Sequence, residues 1–110
     1  MKFTLLLTAL LTLAASPLAA QSNFYQGKTI TMIIGSGAGT AYDIYGRLQA
    51  NYIGKYLPGN PTIQVVNRPG GGGLTGGNYY DATAEPDGLT VLALSTSALM
   101  NYALGDKRAS

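Results

Sequence analysis

Three short segments combine bare backbone with small hydroxyls: GSGAGTAYD at 35–43, NRPGGGG at 67–73 and STS at 95–97. Glycine lets a ligand approach main-chain N–H groups, and a helix start offers such groups unpaired in a partly positive field. Together these residue types can seat an anion on backbone. A carboxylate suits such a seat as well as a phosphate does, and neither needs an arginine or lysine inside it. The expected contacts are Ser36, Gly37, Ala38, Gly39, Thr40, Tyr42 and Asp43 from the first segment. Asn67, Gly70, Gly71, Gly72 and Gly73 come from the second, and Ser95, Thr96 and Ser97 from the third. Tyr42, beside the first loop, is the tyrosine placed to touch a ligand.

Spacing argues against a nucleotide. GSGAGT is G-x-G-x-G-T, so the third glycine of the dinucleotide fingerprint falls on Thr40. The second apolar run ends in Asn67 and not in an acidic residue that would hold a ribose hydroxyl. Gly27-Lys28-Thr29 has Ser22 where a P-loop requires glycine, and it precedes a strand pattern instead of following one. Catalysis is poorly supplied as well. The chain has no histidine and no cysteine, and Ser95 and Ser97 lack both a nucleophile elbow and a visible base. Asp43 reads as a helix-capping carboxylate, and Asn67 as a residue that folds its own loop through a side-chain-to-backbone bond. No cofactor and no metal site is expected.

These loops need strands and helices to hold them. Thr29 to Ile34 is apolar and β-branched, a buried-strand pattern. Tyr42 to Tyr56 reads as a helix with Ile44, Leu48 and Tyr52 along one face. Thr40 and Asp43 have capping-box spacing at its start, and Leu57-Pro58-Gly59-Asn60-Pro61 ends it. Thr62 to Val66 is the next strand, and Leu74 to Ala84 the next helix, weakened at Gly76 and Gly77 by roughly 1 kcal/mol each. After the turn Glu85-Pro86-Asp87-Gly88, Leu89 to Leu94 is a third strand and Ala98 to Leu104 a last helix. This alternation predicts an α/β fold with a parallel βαβαβ sheet and right-handed crossovers. All three small, polar segments then follow carboxyl ends of strands, where open α/β sheets bind ligands.

The 110 residues allow one small domain. Residues 1–20 read as a secretory leader. Lys2 is followed by an apolar run to Leu13 and then by Ser16-Pro17-Leu18-Ala19-Ala20, with cleavage expected after Ala20. Leu18 departs from the small residue preferred at its place. The apolar run is shorter than the ~20 residues a bilayer crossing needs, so the chain is not expected to be membrane-embedded. Seven basic residues face five acidic ones; loss of Lys2 with the leader leaves +1 on residues 21–110, too little for a nucleic-acid surface. Without cysteine, neither disulfides, a thiolate zinc site nor a lipoprotein anchor is possible.

The order FYQGKTITMIIGSGAGTAYDIYGRLQ, NPTIQVVNRPGGGGLTGGNYY and EPDGLTVLALSTSALMNYAL resembles the opening of the Bug-type substrate-binding proteins of tripartite tricarboxylate transporters. The likeness covers essentially all of residues 21–110. The family's A/P-G-G-x-x-D loop is matched at Ala38, Gly39 and Asp43, with Thr40 replacing the second glycine. Its N-x-P-G-A-G-G loop is matched at Asn67, Pro69, Gly70, Gly72 and Gly73, with Gly71 replacing alanine. Its D-G-x-T is matched at Asp87, Gly88 and Thr90. The resemblance implies a periplasmic receptor, not an enzyme, that captures a small carboxylate and delivers it to membrane permease subunits. It also implies that this chain is a truncated first lobe of a periplasmic-binding-protein-like fold, without the second wall of the cleft. The other readings are a portion of an exported α/β hydrolase or transferase whose catalytic residues lie elsewhere, and an inert product that never folds.

Overall fold

A computed structural model describes residues 24–109. The expected leader and its cleavage point at Ala20 lie outside the described residues. The first strand, β1 (Thr29–Ile34), is followed by α1 (Ala41–Tyr56) and β2 (Thr62–Asn67). A short 3-10 turn (Gly71–Gly73) leads into α2 (Leu74–Thr83), β3 (Thr90–Ala93) and α3 (Thr96–Ala103). The strand order is β2-β1-β3, and both pairings are parallel. The α/β alternation read from the sequence is thus the fold, with boundaries differing by one or two residues.

β1, flanked on both sides, is the most buried of the strands; Ile30, Met32, Ile33 and Ile34 are all buried. Successive strand side chains point to opposite faces. Met32 and Ile34 accordingly form one cluster with Ala50 of α1, flanked by Ile63, Val65 and Ala93. Ile33 and its register partner Leu92 point the other way, and Leu92 there borders Gly77, Tyr80 and Tyr102 of α2 and α3. The register aligns Ile34 with Asn67 on one side and Ala93 on the other. All three site loops therefore leave the sheet from a single row.

α1 rests on the sheet in a way its apolar spacing does not suggest. Its buried residues are Asp43, Gly46 and Ala50, and a Cβ on Gly54 would stand 3.0 Å from the Pro61 carbonyl. A seam of small residues lets the helix axis approach closely. Ile44, Leu48 and Tyr52, the face picked out at four-residue spacing, are 60%, 51% and 56% exposed. Close approach also accounts for Gly76 and Gly77 inside α2. A Cβ on Gly76 would lie 2.8 Å from Gly35 Cα, and one on Gly77 would overlap the Tyr102 ring. Their helix-propensity cost is the condition for packing α2 against the first loop and α3. Among the described residues no helix is long and apolar enough to cross a membrane.

Candidate functional site

The three loops converge on a cleft of about 300 Å³ at the carboxyl ends of the strands. The first loop and α1 contribute Gly35, Ser36, Gly37 and Tyr42. The second contributes Pro69, Gly70, Gly72 and Gly73, and the third Ala93, Ser95 and Ser97. Of the residues expected from sequence, eight line the cleft: Ser36, Gly37, Tyr42, Gly70, Gly72, Gly73, Ser95 and Ser97. Ala38, Gly39, Thr40, Asp43, Asn67, Gly71 and Thr96 do not line it. A larger groove of about 450 Å³ runs between α1 and the flank of β3, bordered by Tyr42, Tyr45, Gln49, Leu92 and Leu99. It borders the free edge of β3 and takes in none of the second loop, so the smaller cleft, where all three loops meet, is the better candidate.

Backbone conformation explains why the second loop is glycine throughout. Gly70, Gly71, Gly72 and Gly73 have φ of 133°, 56°, 67° and 102°. Side-chain-bearing residues reach that region only at a cost of roughly 1–2 kcal/mol each. The run folds back so tightly that a Cβ on Gly73 would lie 2.9 Å from Ala98 Cβ, bringing α2 and α3 to the same cleft. α3 begins at Ser95, whose hydroxyl caps the Ala98 N–H at 3.3 Å. The same hydroxyl lies 2.9 Å from Ser97 Oγ and 3.3 Å from the Gly72 carbonyl. The N–H groups of Ser36 and Gly37 meet no acceptor among the described residues. Arg68, the cation of the second loop, lies 4.4 Å from the Tyr79 ring centroid and does not line the cleft. The lining thus carries no charged side chain, and its polar groups are hydroxyls and main chain, with the unpaired N–H groups of Ser36 and Gly37 among them.

The start of α1 is anchored by a network the sequence discloses only in part. Thr40 caps the helix as expected, accepting from the Asp43 N–H at 3.4 Å. The return arm differs from a capping box. The Asp43 carboxylate accepts from the Gly39 N–H at 2.8 Å, whereas the Thr40 N–H bonds to the Gly37 carbonyl at 3.3 Å. The reason is that Gly39, at φ of 80°, turns its own N–H toward Asp43. Asn67 also departs from expectation. It does not fold its own loop; its Nδ2 donates to the Ser36 carbonyl at 2.9 Å and to Asp43 Oδ1 at 2.8 Å.

Arg47, absent from the sequence-based candidates, completes the network. Its Nε donates to both Asp43 oxygens at 3.1 and 3.0 Å, and its Nη2 to Asn67 Oδ1 at 3.0 Å. The Asp43–Arg47 spacing of four residues on a helix was the available signal. The Arg47 bond, then the Gly39 N–H and Asn67, pull the Asp43 carboxyl from its ordinary 3.8 down to about 2. A carboxylate so fully supplied with donors is a poor proton acceptor near neutral pH.

Two proteins are similar to this chain over most of its length. A UPF0065 protein of Bordetella bronchiseptica is 37% identical over 97 residues, covering 88% of this chain and 28% of that protein. The UPF0065 protein in the gbd 5'region of Cupriavidus necator is 42% identical over 84 residues, covering 76% of this chain and 25% of that protein. No family model and no solved structure matches the chain. The chain thus spans about a quarter of the length of the UPF0065 proteins it resembles.

Proposed function

We propose that this chain is the opening part of the first lobe of a Bug-type solute receptor. In this reading it is exported to the periplasm, loses residues 1–20 and contributes one wall of a small-carboxylate site. Its partners are then the permease subunits of a tripartite tricarboxylate-type transporter. The observation that carries the reading is the convergence of three glycine and serine loops on one cleft whose lining holds no charged side chain. A volume of about 300 Å³ is at the lower end for ligand sites, which suits a small acid better than a nucleotide. The UPF0065 designation of both relatives corresponds to this receptor family and supports the same reading. The enzyme alternative gains nothing from Ser95 and Ser97, whose hydroxyls are engaged with each other and with the loop.

Calorimetric titration of the chain with succinate, citrate and glutamate, with ATP and NAD as controls, tests the reading. Saturable heat is expected with at least one carboxylate and none with the nucleotides. Nucleotide binding without any carboxylate response would overturn it.

A further inference from the structure

The first loop holds glycines at 35, 37 and 39, and the second is glycine from 70 to 73. Each has high conformational freedom to lose, so neither sequence fixes its own shape cheaply. A closed triangle of side chains ties the first loop and the start of α1 to Asn67, the last residue of β2, from which the second loop departs. Arg47 bridges Asp43 and Asn67, and Asn67 in turn donates to Asp43. Two spokes leave this triangle for the first loop: Asn67 to the Ser36 carbonyl and Gly39 N–H to Asp43. Asn67 stands two residues before Pro69, which lines the cleft, and Ser36 lines it directly. These bonds join positions 24 and 31 residues apart in the chain.

We propose that Arg47 is a positioning residue whose guanidinium latches the two cleft loops into one relative arrangement. The ligand class held by the latched loops rests on the receptor reading above; the latch itself does not. The planar fork matters, since Nε serves the carboxylate while Nη2 serves the Asn67 amide. A lysine supplies the same charge as one compact ammonium and cannot hold both partners in that geometry. Asp43 is almost wholly buried whereas the Arg47 side chain is 49% exposed. Arg47 can therefore be changed with little disturbance of the core.

The test uses 15N relaxation of the full chain, with Arg47→Lys alongside wild type, and succinate as the probe. In wild type, residues 36–39 and 70–72 are expected to show rigid order parameters of about 0.85. In Arg47→Lys both loops fall together toward or below about 0.6, while the melting temperature moves by no more than about 3 °C. Succinate affinity falls at least ~10-fold. Loops that keep their wild-type order in Arg47→Lys would overturn the latch. Wild type alone supplies a second check, because both Asn67 side-chain protons must be shifted and slow to exchange. A freely exchanging Asn67 amide would overturn the latch without any variant. Loosened loops in a chain whose wild type ignores succinate would uphold the latch and count against the carboxylate reading instead.

Discussion

Gly46 of α1 sits directly over the buried side chain of Ile34, so close that a Cβ at 46 would overlap Ile34 Cδ1 and stand 3.2 Å from Cγ1. The contact sets the distance between α1 and β1. Since Asn67 is the register partner of Ile34 on β2, it also sets how Asp43 reaches Asn67. Alanine at 46 would gain about 1 kcal/mol in helix propensity but overpack a site where Ile34 is fully buried, at about 1–3 kcal/mol. The expected net effect of Gly46→Ala is a loss of about 1 kcal/mol in urea unfolding. Ile34→Val, which removes the colliding methyl, costs about 0.5–1.5 kcal/mol alone. Combined, the two changes should be less harmful than their sum by about 1 kcal/mol. Strict additivity would show that the contact does not limit packing.

Acid should act through Asp43. Its folded-state pKa is about 2 against an ordinary 3.8, so the ionised form is favoured by folding. That contribution is complete above the unfolded value and is lost as pH falls from about 4 toward 2. Asp106 is drawn down to about 2 in the same way, through Arg108, so two groups share the acid limb. Asp43→Asn should reduce the dependence of the unfolding constant on pH in this window by up to about one proton. Asp106→Asn should do likewise, and the two should be independent. Melting temperatures between pH 2 and pH 6 measure this; an Asp43→Asn curve parallel to wild type would refute the assignment.

Much of this fold was legible in the sequence, and the failures have physical causes. Thr29–Ile34 announced a buried strand because it is an apolar and β-branched run, and Thr40 announced a helix start because few residues cap as well; that the strand is central was not legible. The face of α1 was misleading for a different reason. Helical periodicity picks out large apolar residues against the core, whereas this helix approaches through Asp43, Gly46 and Ala50. A buried aspartate is expected only where partners exist, and its distant partner Asn67 lies 24 residues away. Local spacing could reveal Arg47 beside Asp43 but not the third member. Of the motif residues, Ser36 and Gly37 line the cleft, whereas Asn67 supports the first loop from behind it.

The outward face of α1 should be sticky. Tyr45, Leu48, Tyr52 and Tyr56 are all more than half exposed, and the rings of Tyr52 and Tyr56 stack with centroids 6.1 Å apart. Contiguous apolar surface of this kind promotes association. The chain is expected to bind an anilinonaphthalene dye in its native state and to sediment increasingly fast as its concentration rises. Leu48→Lys with Tyr52→Lys should suppress both effects while the far-ultraviolet circular dichroism stays unchanged. Dye binding that persists in this double variant would place the sticky surface elsewhere, with the groove beside β3 the next place to test.

The cleft itself is best probed at Gly37, and the contrast with Gly39 makes the test specific. Gly37 lines the cleft, and a Cβ there would have Thr40 Cγ2, at 4.0 Å, as its nearest neighbour. The folded chain therefore accommodates a side chain at 37, but the space beside the open N–H groups becomes smaller. Gly39 is the reverse case. It lies off the cleft and has free space around it, yet its φ of 80° is one that a valine adopts only under strain. Gly37→Val is expected to weaken carboxylate binding at least ~10-fold with little change in melting temperature. Gly39→Val should lose about 1–2 kcal/mol of stability and release the Asp43 anchor, weakening binding only as the loop loosens. Calorimetry with succinate and thermal melts on both variants separate crowding from strain. Wild-type affinity in Gly37→Val would move the anion seat away from the first loop.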